Sequence, residues 1–379
     1  MSGISDIARA VRYRLFDWGA ARNSWTPRTH PWGTGDVTIV GPFVRPIGVA
    51  VGDDGHIYVA DFDAHRVIRF DGLWTFQGWL GRPRRRQTGA ATQGWRMHPG
   101  GAEHGDAAGE FQRPHAIAFN GGGNLLITEL DNRRVQRFDA DGRAAGMVPT
   151  APVPDGAPTL VGPVTCTPGP DGALYVVDFR GHSIHRFDHD GRFSGWLGAT
   201  DAGATLGFVM TGRSVPSSVA GGFNKPHVVR VTDDGSLLVA DTWNHRVVRL
   251  MPDGAFAGWL GADADGPGSG WRSEGMAMAS AAPGGFDAPT DICFLDDGDI
   301  VVAEYGNHRL QRFSASGAFR GWLGGRDRSG VSGGWRMDGA AGPGTAPGAF
   351  RHPYAVAASG GRLYVADTEN GRIQVFSHD

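Results

Sequence analysis

The chain has 379 residues, 40% of them hydrophobic, with a formal net charge of −3, 61 glycines, 23 prolines and two cysteines. The glycines follow no three-residue period, which excludes a collagen-like chain, and the small net charge provides no field favouring nucleic acid or an anionic membrane. No apolar run is long enough to span a bilayer, and the N-terminal MSGISDIARAVRYRLF lacks a signal-peptide core, so a soluble, cytoplasmic protein is expected.

In chain order, residues 13–19 read YRLFDWG and residues 41–46 read GPFVRP. Both return near the far end as AFRGWLG at 318–324 and GAFRHP at 348–353. A repeating unit begins at Pro46 with PIGVAVGDDGHIYVADFDAHRVIRF, and further copies begin at Pro114, Pro163, Pro226, Pro289 and Pro353. Each unit reads as strand, DG-type turn, strand, polar turn and strand. The DDG and PDG turns supply the positive backbone dihedrals of a tight hairpin. A fourth strand carries GWLG at 78–81, 195–198, 258–261 and 321–324. The last unit ends after its third strand, so residues 11–19 are expected to supply its fourth and close a ring. The pattern predicts an all-β, six-bladed β-propeller occupying 1–379 as a single domain.

Long insertions at 20–41, 82–110, 147–162, 199–222, 262–285 and 325–349 all emerge on one face, where binding loops are expected. Three of them carry GWRM or GWRS, which singles out Trp95 with Arg96, Trp271 with Arg272, and Trp335 with Arg336. Such pairs suit stacking on a protein, peptide or glycan ligand; the bland alternative is an indole folded back on the blade edge. The cluster RPRRR at 82–86 raises nucleic-acid binding as a third reading. Cys166 and Cys293 lie in apolar runs without a CxxC neighbour and are expected to be buried thiols.

Strand direction places the residue after each repeat proline closest to the central channel. That position holds Ile47, His115, Val164, His227, Thr290 and Tyr354, so two imidazoles and a phenol fall on alternate blades. The second strands end in Asp61, Glu129, Asp178, Asp241, Glu304 and Asp367. Asp at such a point accepts hydrogen bonds from its own turn. Glu129 and Glu304 are one methylene longer and able to reach further into the channel, so if any acid of the ring is a ligand or base, it is one of these two.

The unit at 226–250, with its order of proline, strand, DG turn, strand, Ala-Asp, Asn-His-Arg and strand, resembles the NHL repeat, and the likeness extends over about 11–379. The resemblance implies a six-bladed propeller; NHL proteins include RNA- and protein-binding scaffolds. A similar propeller forms the peptidyl-hydroxyglycine amidating lyase, where histidines on three alternate blades hold zinc. His115 and His227 match two of those positions and Tyr354 stands at the third, with His352 two residues away. The resemblance thereby implies a divalent metal, zinc by ligand type. The lyase's arginine position, directly after each acid, holds Phe62, Leu130, Phe179, Thr242, Tyr305 and Thr368, with Tyr305 and Arg180 as nearby substitutes. Two functions follow. One is a binding or scaffold propeller presenting its long-loop face and channel mouth to a protein, peptide, glycan or other small molecule. The other is a metal-dependent lyase or hydrolase with Tyr354, Glu129, Glu304 and Tyr305 as catalytic candidates.

Overall fold

The repeat pattern sets the strands directly. In the computed structural model, which describes residues 25, 27–32, 35–84, 94–98, 100–120, 122–325 and 334–377, blade 1 is the sheet Pro46–Val51, Ile57–Asp61, Arg66–Phe70 and Phe76–Leu80. Its hairpin pairs Val51 with Ile57 at the turn end and Pro46 with Asp61 at the other, as the alternation of the sequence requires. The chain enters the third strand through a short 3₁₀ turn capped by His65 in the left-handed region at φ 54. Blades 2 to 5 repeat this four-strand order, with first strands Pro114–Phe119, Pro163–Pro168, Val228–Val231 and Pro289–Phe294. These inner strands contact one another around the circle, and Pro353–Ser359 of blade 6 contacts that of blade 1.

Blade 6 contains Pro353–Ser359, Arg362–Asp367 and Arg372–Ser377, and an N-terminal strand does complete it. That strand is Gly35–Val40, paired from Val37 with Phe376 to Val40 with Ile373, and Arg28–Trp32 follows as a fifth. The segment 11–19 lies outside the described residues, and the place expected for it is taken by GDVTIV. The β-branched residues of that run fit a pleated, half-buried surface.

The acid ring is structural on every blade. Asp61 accepts the N–H groups of Val44 and Arg45 and the guanidinium of Arg66, fastening the entry segment to the third strand. Glu129 and Glu304 do the same and do not reach the channel, contrary to expectation. Glu129 accepts from Gln112 N–H at 3.0 Å and Arg134 at 2.6 Å; Glu304 accepts from Asp287 N–H at 3.0 Å and Arg309 at 2.6 Å. Both are fully buried, and burial raises their carboxyls above the ordinary range, with the paired arginine as the main opposing influence. The extra methylene serves the same contact as Asp. The repeated histidines link blades: His65, His182, His245 and His308 each accept, on Nδ1, the backbone N–H of Arg113, Lys225, Ala288 and His352 in the next blade.

The GWR segments return to the outer rim, away from the channel. Trp79 pairs with Arg96, Trp259 with Arg272, and Trp322 with Arg336, so each segment adds a bridge outside the fourth strand. The first glycine of GWLG permits this approach. A Cβ on Gly321, at φ 130, would lie 2.8 Å from the Trp335 Cβ. The half-buried Trp95 and Trp271 donate Nε1–H to Ala140 and Ala315 in the following blade. The guanidiniums of Arg69, Arg249 and Arg312 lie over Trp95, Trp271 and Trp335. The indoles are therefore folded against the blades, and Arg96, Arg272 and Arg336 lie over the indoles of the fourth strands. Blade 3 uses Val209 in the same bridge, a counterpart that GFVM hid in the sequence. Both cysteines are buried and unbonded, and burial pushes the Cys166 thiol up to about 12.

Candidate functional site

His115, His227 and Tyr354 do converge. The Tyr354 hydroxyl lies 2.6 Å from His227 Nε2 and 3.2 Å from His115 Nε2. On its far side, His227 Nδ1 is 2.8 Å from the Thr242 hydroxyl, which donates to the Pro289 carbonyl at 2.6 Å. That carbonyl fixes the direction of the chain of bonds. Thr242 donates to it, so His227 Nδ1–H donates to Thr242, and the lone pair on Nε2 accepts from Tyr354. Burial holds both imidazoles neutral, His227 pushed down to about 3 and His115 also well below the ordinary value; the Lys225 charge adds to the first and His227 to the second. Burial raises the Tyr354 phenol instead.

A metal would need the point between these groups, and that point is the phenol oxygen. The donor set is two imidazoles and a phenol, with no third imidazole, thiolate or carboxylate, and no group of three His, Cys, Asp or Glu able to hold a metal ion occurs among the described residues. His352 does not join them, because its ring stacks on Tyr305 at 4.1 Å and its Nδ1 bonds the Tyr305 carbonyl. The three residues do not fit the implied zinc. Beneath them is a cavity of about 20 Å³, lined by Thr165, Thr290 and the Arg230–Asp291 ion pair, with room for about one water.

Above them, three aromatic residues from the other alternate blades cap the channel. Phe62 lies 5.9 Å from the His115 ring, Phe179 4.5 Å from His227 and Tyr305 6.1 Å from Tyr354, centroid to centroid. Around half of this mouth runs a continuous line of ion pairs, Glu369 to Arg45 to Asp63 to Arg113 to Asp131 to Arg180, spaced 3.0 to 3.8 Å. It spans blades 6, 1, 2 and 3. Over blades 4 and 5 the line is missing. Trp243 and Gly306 hold the positions of its acids, and the Lys225 ammonium lies 3.6 Å from the Trp243 ring centre and 5.4 Å from that of Phe179.

The NHL repeat family matches residues 43–70, 223–250, 286–313 and 350–376, which are blades 1, 4, 5 and 6. The chain is an NHL-repeat propeller. Solved structures similar to it include a virginiamycin B lyase from Staphylococcus aureus, at 13% identity and TM-score 0.51 over 89% of this chain and 96% of that one. Others are a gluconolactonase from Xanthomonas campestris, at 13% identity and TM-score 0.53 over 93% and 94%, and an auxiliary nutrient binding protein from Bacteroides thetaiotaomicron, at 13% and 0.52 over 89% and 70%. At such identities the likeness establishes the fold alone.

Lys225 occupies an ordinary repeat position, and the signal that marks it is composition: this NHL propeller has one lysine, and the other 35 of its 36 lysine and arginine residues are arginine. Tyr305 also stands at the mouth, half-buried and stacked on His352.

Proposed function

We propose that this NHL propeller is a binding protein whose ligand seat is the blade 3–5 sector of its channel mouth, where Phe179, Trp243 and Tyr305 offer half-buried aromatic surface beside Lys225. The observation that carries the reading is the asymmetry of the mouth. One half is closed by paired charges, whereas the other presents aromatic faces and a cation. Aromatic residues at the centre of a rimmed concavity are the usual anchors of recognition. The channel below is crossed by the bonds of Tyr354, which favours recognition at the mouth over entry of a ligand. The neighbouring nutrient binding propellers make such a role ordinary for the fold. A protein, a peptide or a small molecule could each occupy the seat.

The test compares captured material. Immobilised wild-type protein is exposed to native extract, and bound proteins and metabolites are identified by mass spectrometry. A species lost with Trp243→Ala/Phe179→Ser, yet kept with Trp95→Ala/Trp271→Ala/Trp335→Ala, supports the mouth. The reverse pattern moves the site to the rim loops. Stoichiometric zinc that disappears in His115→Ala/His227→Ala would overturn the reading in favour of a metal-dependent lyase or hydrolase.

A further inference from the structure

The repeat gives Lys225 a role that its surroundings leave incomplete. Arg45 and Arg113 each stand one residue before a repeat proline, as Lys225 does. Arg45 reaches Asp63 of its own blade at 3.6 Å and Glu369 of the preceding blade at 3.8 Å. Arg113 repeats the arrangement with Asp131 at 3.2 Å and Asp63 at 3.8 Å. For Lys225 the same two positions hold Trp243 and Arg180, and Arg180 already bonds Asp131 at 3.0 Å. Among the described residues no carboxylate pairs with the Lys225 ammonium. Its charge is felt instead by His182 and His227, whose pKa values it helps to lower. A part-buried cation without a counter-charge is costly, and two aromatic faces offset that cost only in part.

We infer that the mouth recognises a ligand bearing an anionic group, a carboxylate or a phosphate, which supplies the counter-charge missing at Lys225, with a flat apolar body lying on Trp243 and Phe179. The inference rests on the proposed mouth site and names its ligand class. The next blade has small residues at its two mouth positions, Ala288 and Gly306, and the Asp287 carboxylate fills the space beside Gly306, where a Cβ would lie 2.4 Å from it. Lysine suits the task because its ammonium is a compact point charge with three donors, whereas a guanidinium favours a planar two-point partner.

The single lysine makes the test unusually direct. Reductive methylation with ¹³C-formaldehyde keeps the charge and labels Lys225 and the terminal α-amine alone, giving two separable NMR signals. The probes are benzoate, phenyl phosphate and the neutral benzamide. A saturable shift of the Lys225 signal with either anion, about tenfold weaker with benzamide, is expected, since the neutral amide cannot supply the charge-assisted bond. The anion that binds tighter separates carboxylate from phosphate. Calorimetry on unlabelled protein should show the same loss with Lys225→Met, with a melting temperature no lower than that of wild type as the folding control. Equal affinity for benzamide and benzoate would overturn the anionic requirement while leaving the mouth site standing. Equal shifts at both amines would mean an adventitious ion only. No response to either anion, in protein whose extract ligand still depends on Trp243 and Phe179, would also overturn the inference.

Discussion

Tyr354 donates to His227 Nε2 across 2.6 Å and places the same oxygen 3.2 Å from His115 Nε2, so one hydroxyl ties blades 2, 4 and 6 together through the channel. Tyr354→Phe removes that oxygen and leaves two buried ring nitrogens facing a hydrocarbon edge. An unsatisfied buried polar group costs about 1–3 kcal/mol, so the variant should lose about that much stability in urea denaturation. An unchanged midpoint with an unchanged slope would show that the cross-channel bonds add nothing to the fold.

Blade 3 departs from the others in a way that acid should reveal. Where blades 2, 5 and 6 place Gln136, Gln311 and Gln374 to bond the entry segment, blade 3 has His185, fully buried, with Nδ1 lacking a partner among the described residues. Burial pushes His185 down to about 4. Between that value and the ordinary 6.5 or so, the unfolded chain binds more protons than the folded one. Stability is therefore present above pH 6.5 and lost as pH falls towards 4, by up to about 1.4 kcal/mol per pH unit. His185→Gln should match wild type near pH 7.5 or exceed it, and should hold about 2 kcal/mol more stability at pH 5. Parallel stability curves for the two proteins from pH 7.5 to 5 would refute this account.

Glu304 and Arg309 are both fully buried and 2.6 Å apart. Glu304→Gln keeps the shape and leaves a buried guanidinium without its counter-charge. Removing one partner of such a pair costs about 3–5 kcal/mol. The variant should melt well below wild type while retaining the far-ultraviolet spectrum of the sheet at low temperature. A loss below about 1 kcal/mol would mean that the carbonyls of Ala281, Ala282 and Gly285 hold Arg309 unaided.

The six-fold pattern was legible because each unit carries its own proline, glycine-bearing hairpin turn and acid, and those residues shape only their local backbone. The meeting of His115, His227 and Tyr354 was legible for the same reason: equal positions on alternate blades of a closed ring must face one axis. Three things were hidden. The reach of Glu129 and Glu304 looked like access to the channel, because a sequence does not show that Arg134 and Arg309 stand across the strand. The GWR tryptophans looked available for ligands, because the glycines that admit them to the blade edge belong to another part of the unit. The significance of Lys225 was hidden because it lies in partners absent elsewhere in the chain, at Arg180 in the preceding blade and at Trp243 later in its own.

The seam of blade 6 has a consequence for how the molecule assembles and fails. Blades 1 to 5 draw their first four strands from contiguous sequence, whereas Gly35–Val40 joins Arg372–Ser377 across 341 residues, the separation of Asp36 from Ser377. Loop-closure entropy makes that pairing the slowest to form, so the sixth sheet completes last during folding and releases first under load. While it is open, Arg372–Ser377 presents a bare edge, and Gly35–Val40 of a second copy is the strand that fits it. Strand exchange between two chains at this seam is the failure mode built into such a circle.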